Sequence, residues 1–246
     1  MGLHPIAARG FGSSAEAYER GRPDYPAEAI AWLAKRAGLG PGVTVIDLAA
    51  GTGKLTRPIA ATSARVIAVE PVEEMRRAIG PAAEALEGTA EAMPLADGSA
   101  DLVTVGQAFH WFDGDAALAE IHRVLRPRGL LALLWNVRAM DDPVHIAIEE
   151  VIAPYCGDVP RHRSGEWRKA FAHGDRFGPL EEARFAFEQR LDAAGLADRI
   201  GSTSAIAALA DDERERVLGR IRPLAGSGEV SLPYTCEVQV TTALGR

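Results

Sequence analysis

Cysteine is scarce in this sequence: two residues, Cys156 and Cys236, in 246. They stand far apart and form no C-x-x-C pair, so neither a disulfide framework nor a structural zinc site is expected. Positive charge is in deficit, with 27 Lys and Arg against 34 Asp and Glu for a net charge of −7. A field of that sign repels phosphate backbones, and nucleic acid is not an expected partner. Long apolar runs are missing too. None approaches the roughly 20 residues of a membrane-spanning helix, and residues 1–10 have no signal-peptide core. The expectation is a cytoplasmic protein with no membrane contact. Lysine occurs only at 35, 54 and 169, while arginine and alanine abound, a bias that reads as genomic base composition more than function.

What is present is ordinary globular material, 47% hydrophobic and 25% charged, enough for a core and unlike a disordered chain. The length suits one domain spanning 1–246. Pro26 opens a helix over 27–37, with Ile30, Leu33, Ala34 and Ala37 at helical spacing, and the glycines at 38–42 stop it. Short apolar strands are expected at 43–48, 65–69, 101–105 and 130–135, with helices at 55–61, 72–79 and 116–125 between them. Such alternation with continuous apolar strands predicts a parallel sheet covered by helices on both faces. After residue 143 the pattern becomes helical and then irregular. Two longer strands, 182–191 and 232–242, read as an antiparallel edge of the same sheet, with a helix over 204–218 between them.

The main chemical signal is Val45-Ile46-Asp47-Leu48-Ala49-Ala50-Gly51-Thr52-Gly53. A strand delivers an acid, a small-residue turn follows, and a helix begins. Small residues let backbone approach a ligand, and the helix start offers free N–H groups. Glu70 closes the next strand, 23 residues after Asp47, where a carboxylate accepts both hydroxyls of a ribose. Taken singly, the glycines make a tight turn, Asp47 caps that turn and Glu70 is a solvated strand end. Together they describe a nucleoside-binding switch point.

Here the sequence resembles the class I S-adenosylmethionine-dependent methyltransferases, over most of its length from Phe11 onward. Asp47-Leu-Ala-Ala-Gly-Thr-Gly53 is similar to that family's glycine-rich first motif, with Ala49 where glycine is common. Glu70-Pro71 followed by Met75 is similar to its second motif. Glu91-Ala-Met-Pro-Leu and Asp97-Gly-Ser-Ala-Asp101 look like the adenine-side loop and the strand after it. Gln107-Ala-Phe-His-Trp-Phe112 resembles the small-molecule branch that includes trans-aconitate methyltransferase-like proteins. The resemblance implies a Rossmann-like α/β fold. Its seven-stranded sheet would be mostly parallel, with an antiparallel C-terminal edge and helices on both faces. It implies a cap over about 1–40 and a substrate lid over about 138–180. It further implies S-adenosylmethionine as donor, S-adenosylhomocysteine as product, and a small molecule, a carboxylate or a natural-product intermediate, as acceptor.

The same resemblance distributes roles. Asp47 lies near the donor's amino group or its water, and Ala49, Gly51 and Gly53 line its methionine and ribose. Glu70 binds the ribose, with Pro71 beside it and Met75 near the adenine. Ala90 and Glu91 face the adenine edge, and Gln107 and Ala108 sit beneath the sulfonium. Tyr18 and Arg22 close over the donor carboxylate, which a guanidinium pairs bidentately. His110 is the candidate base, since imidazole titrates in the useful range. Trp111 and Phe112 are candidates for a wall around the methyl group. His162, Trp167, Arg168 and His173 are candidate acceptor contacts in the irregular insertion. Asn136, Asp141 and Asp142 lack a fixed ligand pattern, and no metal is expected.

Two other readings stay open. One is a nicotinamide-dependent oxidoreductase, although Thr56 occupies the last position of G-x-G-x-x-G and no Tyr-x-x-x-Lys pair follows. The other is a binder of S-adenosylmethionine that cyclises it to methylthioadenosine or only senses it. Oligomeric state, monomer or homodimer, turns on whether edge strands pair between subunits.

Overall fold

Runs of aliphatic side chains pair as the centre of one sheet. The computed structural model describes residues 15–157, 162–172 and 174–245, so residues 11–14 and His173 lie outside the described residues. In chain order the strands are β1 (Thr44–Leu48), β2 (Arg65–Val69), β3 (Glu84–Leu86), β4 (Ala100–Gly106), β5 (Leu125–Arg138), β6 (Glu181–Leu191) and β7 (Val230–Thr242). They lie in the order β3-β2-β1-β4-β5-β7-β6. The first five are parallel, and β7 runs antiparallel to both β5 and β6. This is the Rossmann-like seven-stranded sheet with the antiparallel C-terminal edge that the resemblance implies.

The helices are α1 (Ala15–Gly21), α2 (Ala27–Ala37), α3 (Thr56–Ala60), α4 (Glu73–Ala78), α5 (Gly114–Val124), α6 (Pro143–Cys156), α7 (Lys169–Ala172), α8 (Ala193–Gly201), α9 (Ser204–Ala207) and α10 (Asp211–Ile221). Alternate residues of the central strands point to opposite faces. Ile46, Val103 and Leu131 join Ile121 of α5 in one apolar cluster. Val45, Leu102 and Ala132 join Leu33 of α2 and Ile59 of α3 in another. A third cluster, around Leu232 and Tyr234 of β7, is formed by α6, α8 and α10. Among the described residues no helix is long and apolar enough to cross a membrane.

Beyond shifts of a residue or two at element ends, three features differ from expectation. β3 has three residues, too few for any periodicity to show. The helix read over 204–218 is two helices, α9 and α10, and α8 precedes them with its first turn capped by the Asp192 side chain on Gly195 N (2.7 Å). β5 begins at Leu125, which pairs with Ala100 before a register shift, and Arg128 in the shifted stretch has φ 65°. Pro127 and Gly129 mark this irregularity.

The N-terminal helix is laid against α8 at one point. Gly21 meets the α8 backbone so closely that an added Cβ would stand 2.4 Å from Arg199 N and 2.5 Å from Asp198 C. Gln189 Nε2 donates to Gly21 O (2.9 Å), and Arg20 Nε to Asp198 Oδ2 (2.8 Å). Only glycine fits there. Gly21→Ala is expected to lower stability by about 1–3 kcal/mol through overpacking against backbone, checked by urea unfolding; an unchanged midpoint would show that the two helices are not in this contact.

Candidate functional site

In this strand order the connections diverge on either side of β1 and β4, and the carboxyl ends of those strands leave a crevice between them. Ala49 and Gly51 follow β1, Glu70 and Pro71 follow β2, and Gly106 ends β4 with Gln107 and Ala108 after it. These residues line a narrow cleft of about 80 Å³, which Met75, Phe112 and Tyr18 help to close. Ala49 (φ 54°) and Gln107 (φ 62°) both hold left-handed backbone, at a cost of roughly 1–2 kcal/mol per side-chain-bearing residue. Such strain clusters where backbone is shaped for a ligand. Gly51 (φ 57°) has nothing within 4 Å of an added Cβ, so its requirement is conformational.

Asp47 is buried at the end of β1. Its Oδ2 accepts from Thr56 Oγ1 (2.5 Å) and its Oδ1 from Thr104 Oγ1 (2.9 Å). Burial pushes this carboxyl up to about 6 while the two hydroxyls hold it down. The resemblance placed Asp47 near the donor's amino group or its water; the structure engages both its oxygens beneath the turn, tying β1 to β4 and to α3. Thr56, at the last position of the partial dinucleotide pattern, is consumed by the same bond.

Glu70 is 5% exposed. Its Oε2 accepts from Gly51 N (2.9 Å) and its Oε1 from Val72 N (2.9 Å). Arg76 donates instead to the main-chain oxygen of Glu70 (2.7 Å). Burial raises the Glu70 carboxyl above the usual range, and the amide bonds lower it. Ala90 is buried in the core and Glu91 accepts from Asp113 N (3.2 Å); neither lines the cleft. Gly53 continues the turn at φ 85°.

The N-terminal segment straps across the turn. Glu19 accepts from Thr52 Oγ1 (2.5 Å) and from Arg57, and Lys54 Nζ meets Asp24 (2.7 Å). Arg22 lies over the Tyr18 ring at 5.1 Å and donates through Nε to Ser202 Oγ (3.1 Å) and through Nη2 to Ser202 O (2.7 Å). Burial, with repulsion from Arg199, lowers this guanidinium to about 10.

A wider cleft of about 230 Å³ adjoins the first and shares Tyr18, Gln107 and Trp111 with it. His110 lines it, and burial, helped by repulsion from His162 and Arg22, lowers this imidazole to about 4. His110 Nδ1 is buried without a partner among the described residues. His162 also lines the cleft, its ring 4.3 Å from that of Trp135, and burial lowers it to about 4 as well. Trp167 sits behind Trp135 in the core, with Arg168 over its ring; neither lines the cleft. Asn136 does, donating to Asp24 O (3.2 Å). Asp142 caps α6 by accepting from His145 N (2.9 Å). Among the described residues no three His, Cys, Asp or Glu side chains gather to hold a metal.

Sequence reasoning missed Trp135, Arg138 and Arg199 as cleft residues. Trp135 read as plain strand. Arg199 falls on a helix that went unrecognised, although an arginine beside Leu196 and Ile200 on an apolar face was a signal.

Residues 46–133 match a family model described as a methyltransferase domain. An uncharacterized methyltransferase of Mycobacterium tuberculosis is 38% identical, across 95% of this chain and 96% of its own. A solved structure from Anaeromyxobacter dehalogenans, described as a candidate type II methyltransferase, superposes with a TM-score of 0.66 at 25% identity, covering 92% of this chain and 99% of that one. A geranyl diphosphate methyltransferase solved in complex with S-adenosylmethionine shares the fold at 14% identity and a TM-score of 0.51, covering 89% of this chain and 85% of that one.

The depressed imidazoles have a consequence for stability. Unfolded histidines take up protons below about pH 6.5, whereas His110 waits until about 4. The unfolded state therefore binds the proton first, and this residue's contribution to stability falls as pH drops from about 6.5 to about 4. Asp47, raised to about 6, acts in the opposite direction. His110→Gln is expected to lose less stability than the parent over that window. Parallel profiles from chemical denaturation would contradict it.

Proposed function

The chain belongs to the class I methyltransferase family, and on that premise we propose that it transfers a methyl group from S-adenosylmethionine to a small-molecule acceptor. The observation that carries the reading is the Glu70 carboxylate. It is buried in the switch-point cleft, and among the described residues no cation is bonded to it and its oxygens are shared only with two backbone amides on the rim. A carboxylate has about four lone-pair sites, so two remain for a pair of ribose hydroxyls.

The rest of the narrow cleft suits the same molecule. Pro71, Met75 and Ala108 are the apolar flank for an adenine ring, with Ala90 and Glu91 at its edge. Ala49, Gly51 and Gly53 leave room beside the ribose and methionine, and Asp47 braces that turn from below. Tyr18 and Arg22 face the methionine carboxylate. Gln107 and Ala108 lie under the reacting end. When bound, S-adenosylmethionine supplies a methyl group already activated by its sulfonium. The protein's share is orientation and exclusion of water, the latter from Trp111 and Phe112. In this reading His110 Nδ1, buried without a partner among the described residues, receives an acceptor's proton. Held at about 4, the imidazole is neutral at pH 7 and only weakly basic, which suits acceptors that hold their proton loosely or not at all.

In this reading 1–246 is one domain, with the segment over about 1–40 as cap and that over about 138–180 as acceptor lid. It works in the cytoplasm as a monomer or homodimer, without nucleic acid. Glu70→Ala is expected to weaken S-adenosylmethionine binding by roughly 1–3 kcal/mol, the range for losing a charged hydrogen-bonding partner, while the far-ultraviolet spectrum is retained. Unchanged affinity in calorimetry would remove Glu70 from the ribose role. Identification of S-adenosylhomocysteine rather than methylthioadenosine after turnover separates methyl transfer from cyclisation.

A further inference from the structure

We propose that the acceptor is an organic anion and that Arg199 receives its anionic group. The wider cleft carries the sign of charge that the chain as a whole lacks. Among its described lining residues, Arg22, Arg138, Arg163 and Arg199 face one carboxylate, Glu149, in a protein of net charge −7. Glu149 is already divided between Arg138 (2.6 Å) and Arg163 (3.1 Å). Arg22 rests on Ser202, a neutral partner. Arg199 is 6% exposed and donates through Nε to Tyr234 OH (3.1 Å), another neutral partner. Its Nη1 is buried with no partner among the described residues.

Arginine does not shed its proton in proteins, and a buried charge without a counter-charge is costly. Repulsion from Arg199 is felt by both neighbours, contributing to the lowering of Arg22 and of Arg138. Among the described residues, two guanidinium groups, those of Arg22 and Arg199, thus stand beside the clefts without an acid. The proposed function, on which this step rests, gives the donor's carboxylate to Arg22. Arg199 is left for a second anion.

The orphaned polar atoms point the same way. His110 Nδ1, Trp135 Nε1, Asn136 Oδ1 and Arg199 Nη1 are all buried without partners among the described residues, and all four residues line this cleft. Native structures leave few such atoms, and each calls for an explanation. A polar ligand supplies one. The remaining wall includes Trp111, Met140 and Ile152, so the anion sits on a partly apolar body. A cavity of about 150 Å³ holds benzene, and about 230 Å³ holds a ring with an acidic substituent. Guanidinium groups pair with carboxylate and phosphate alike.

The test is calorimetric titration of the full chain, saturated with S-adenosylhomocysteine, with benzoate, phenyl phosphate and neutral benzamide as probes. At least one anion is expected to bind roughly tenfold or more tightly than benzamide, the scale of one charged hydrogen bond, and the preferred anion separates carboxylate from phosphate acceptors. Arg199→Gln is expected to abolish the preference without changing S-adenosylhomocysteine affinity, and Arg199→Lys to retain part of it. The proposal is overturned if neither anion outbinds benzamide, if the preference survives Arg199→Gln, or if that variant loses S-adenosylhomocysteine instead. The comparison of charged and neutral probes on the unaltered chain needs no variant to fold. Should the anion preference appear while S-adenosylhomocysteine fails to bind, the donor reading falls and the anion site stands.

Discussion

Asp47 carries a carboxylate into the interior at the end of β1, where Thr56 and Thr104 meet its two oxygens. Those bonds tie the first strand to the helix after it and to the neighbouring strand β4. The crevice lies at the ends of these elements, so its shape depends on their staying in register. Removing either hydroxyl would leave a buried acceptor short of a partner, which costs about 1–3 kcal/mol. Above this tie the chain turns through Ala49 and Gly51 in left-handed backbone. The turn then closes on Glu70 through Gly51 N. One acid builds the floor and the other faces the cleft, although in sequence they look like equivalent strand-end carboxylates.

That distinction marks how far the sequence could be read. The parallel core, its helices and the antiparallel edge follow from aliphatic runs and turn residues, and all are found. Seven strands came from resemblance, since β3 is three residues long and leaves no pattern. The roles of Asp47 and Glu70 differ because Thr56 and Thr104 reach only one of them, and Thr104 lies 57 residues away. Arg199 was invisible for a related reason. Its place beside Arg22 depends on Gly21 letting α1 rest on the α8 backbone, a contact between segments nearly 180 residues apart. Periodicity reports which face a residue takes, not which distant element meets it.

The charges show the same separation of scales. The whole chain is acidic, yet the wider cleft gathers four arginines around one glutamate among its described lining. The global field disfavours polyanions such as nucleic acids, while the local one favours a small anion that fits inside. His110, lowered to about 4, is neutral beside these cations and adds no further positive charge to the cleft.

The central claim is that the narrow cleft at the β1–β4 switch point holds the donor nucleoside against Glu70. A crystal structure of the protein grown with S-adenosylhomocysteine tests it most directly. The account predicts both ribose hydroxyls within hydrogen-bond distance of the Glu70 carboxylate, with the methionine carboxylate at Arg22. A nucleoside bound elsewhere, or a Glu70 still bonded only to the amides of Gly51 and Val72 beside an occupied cleft, would contradict it.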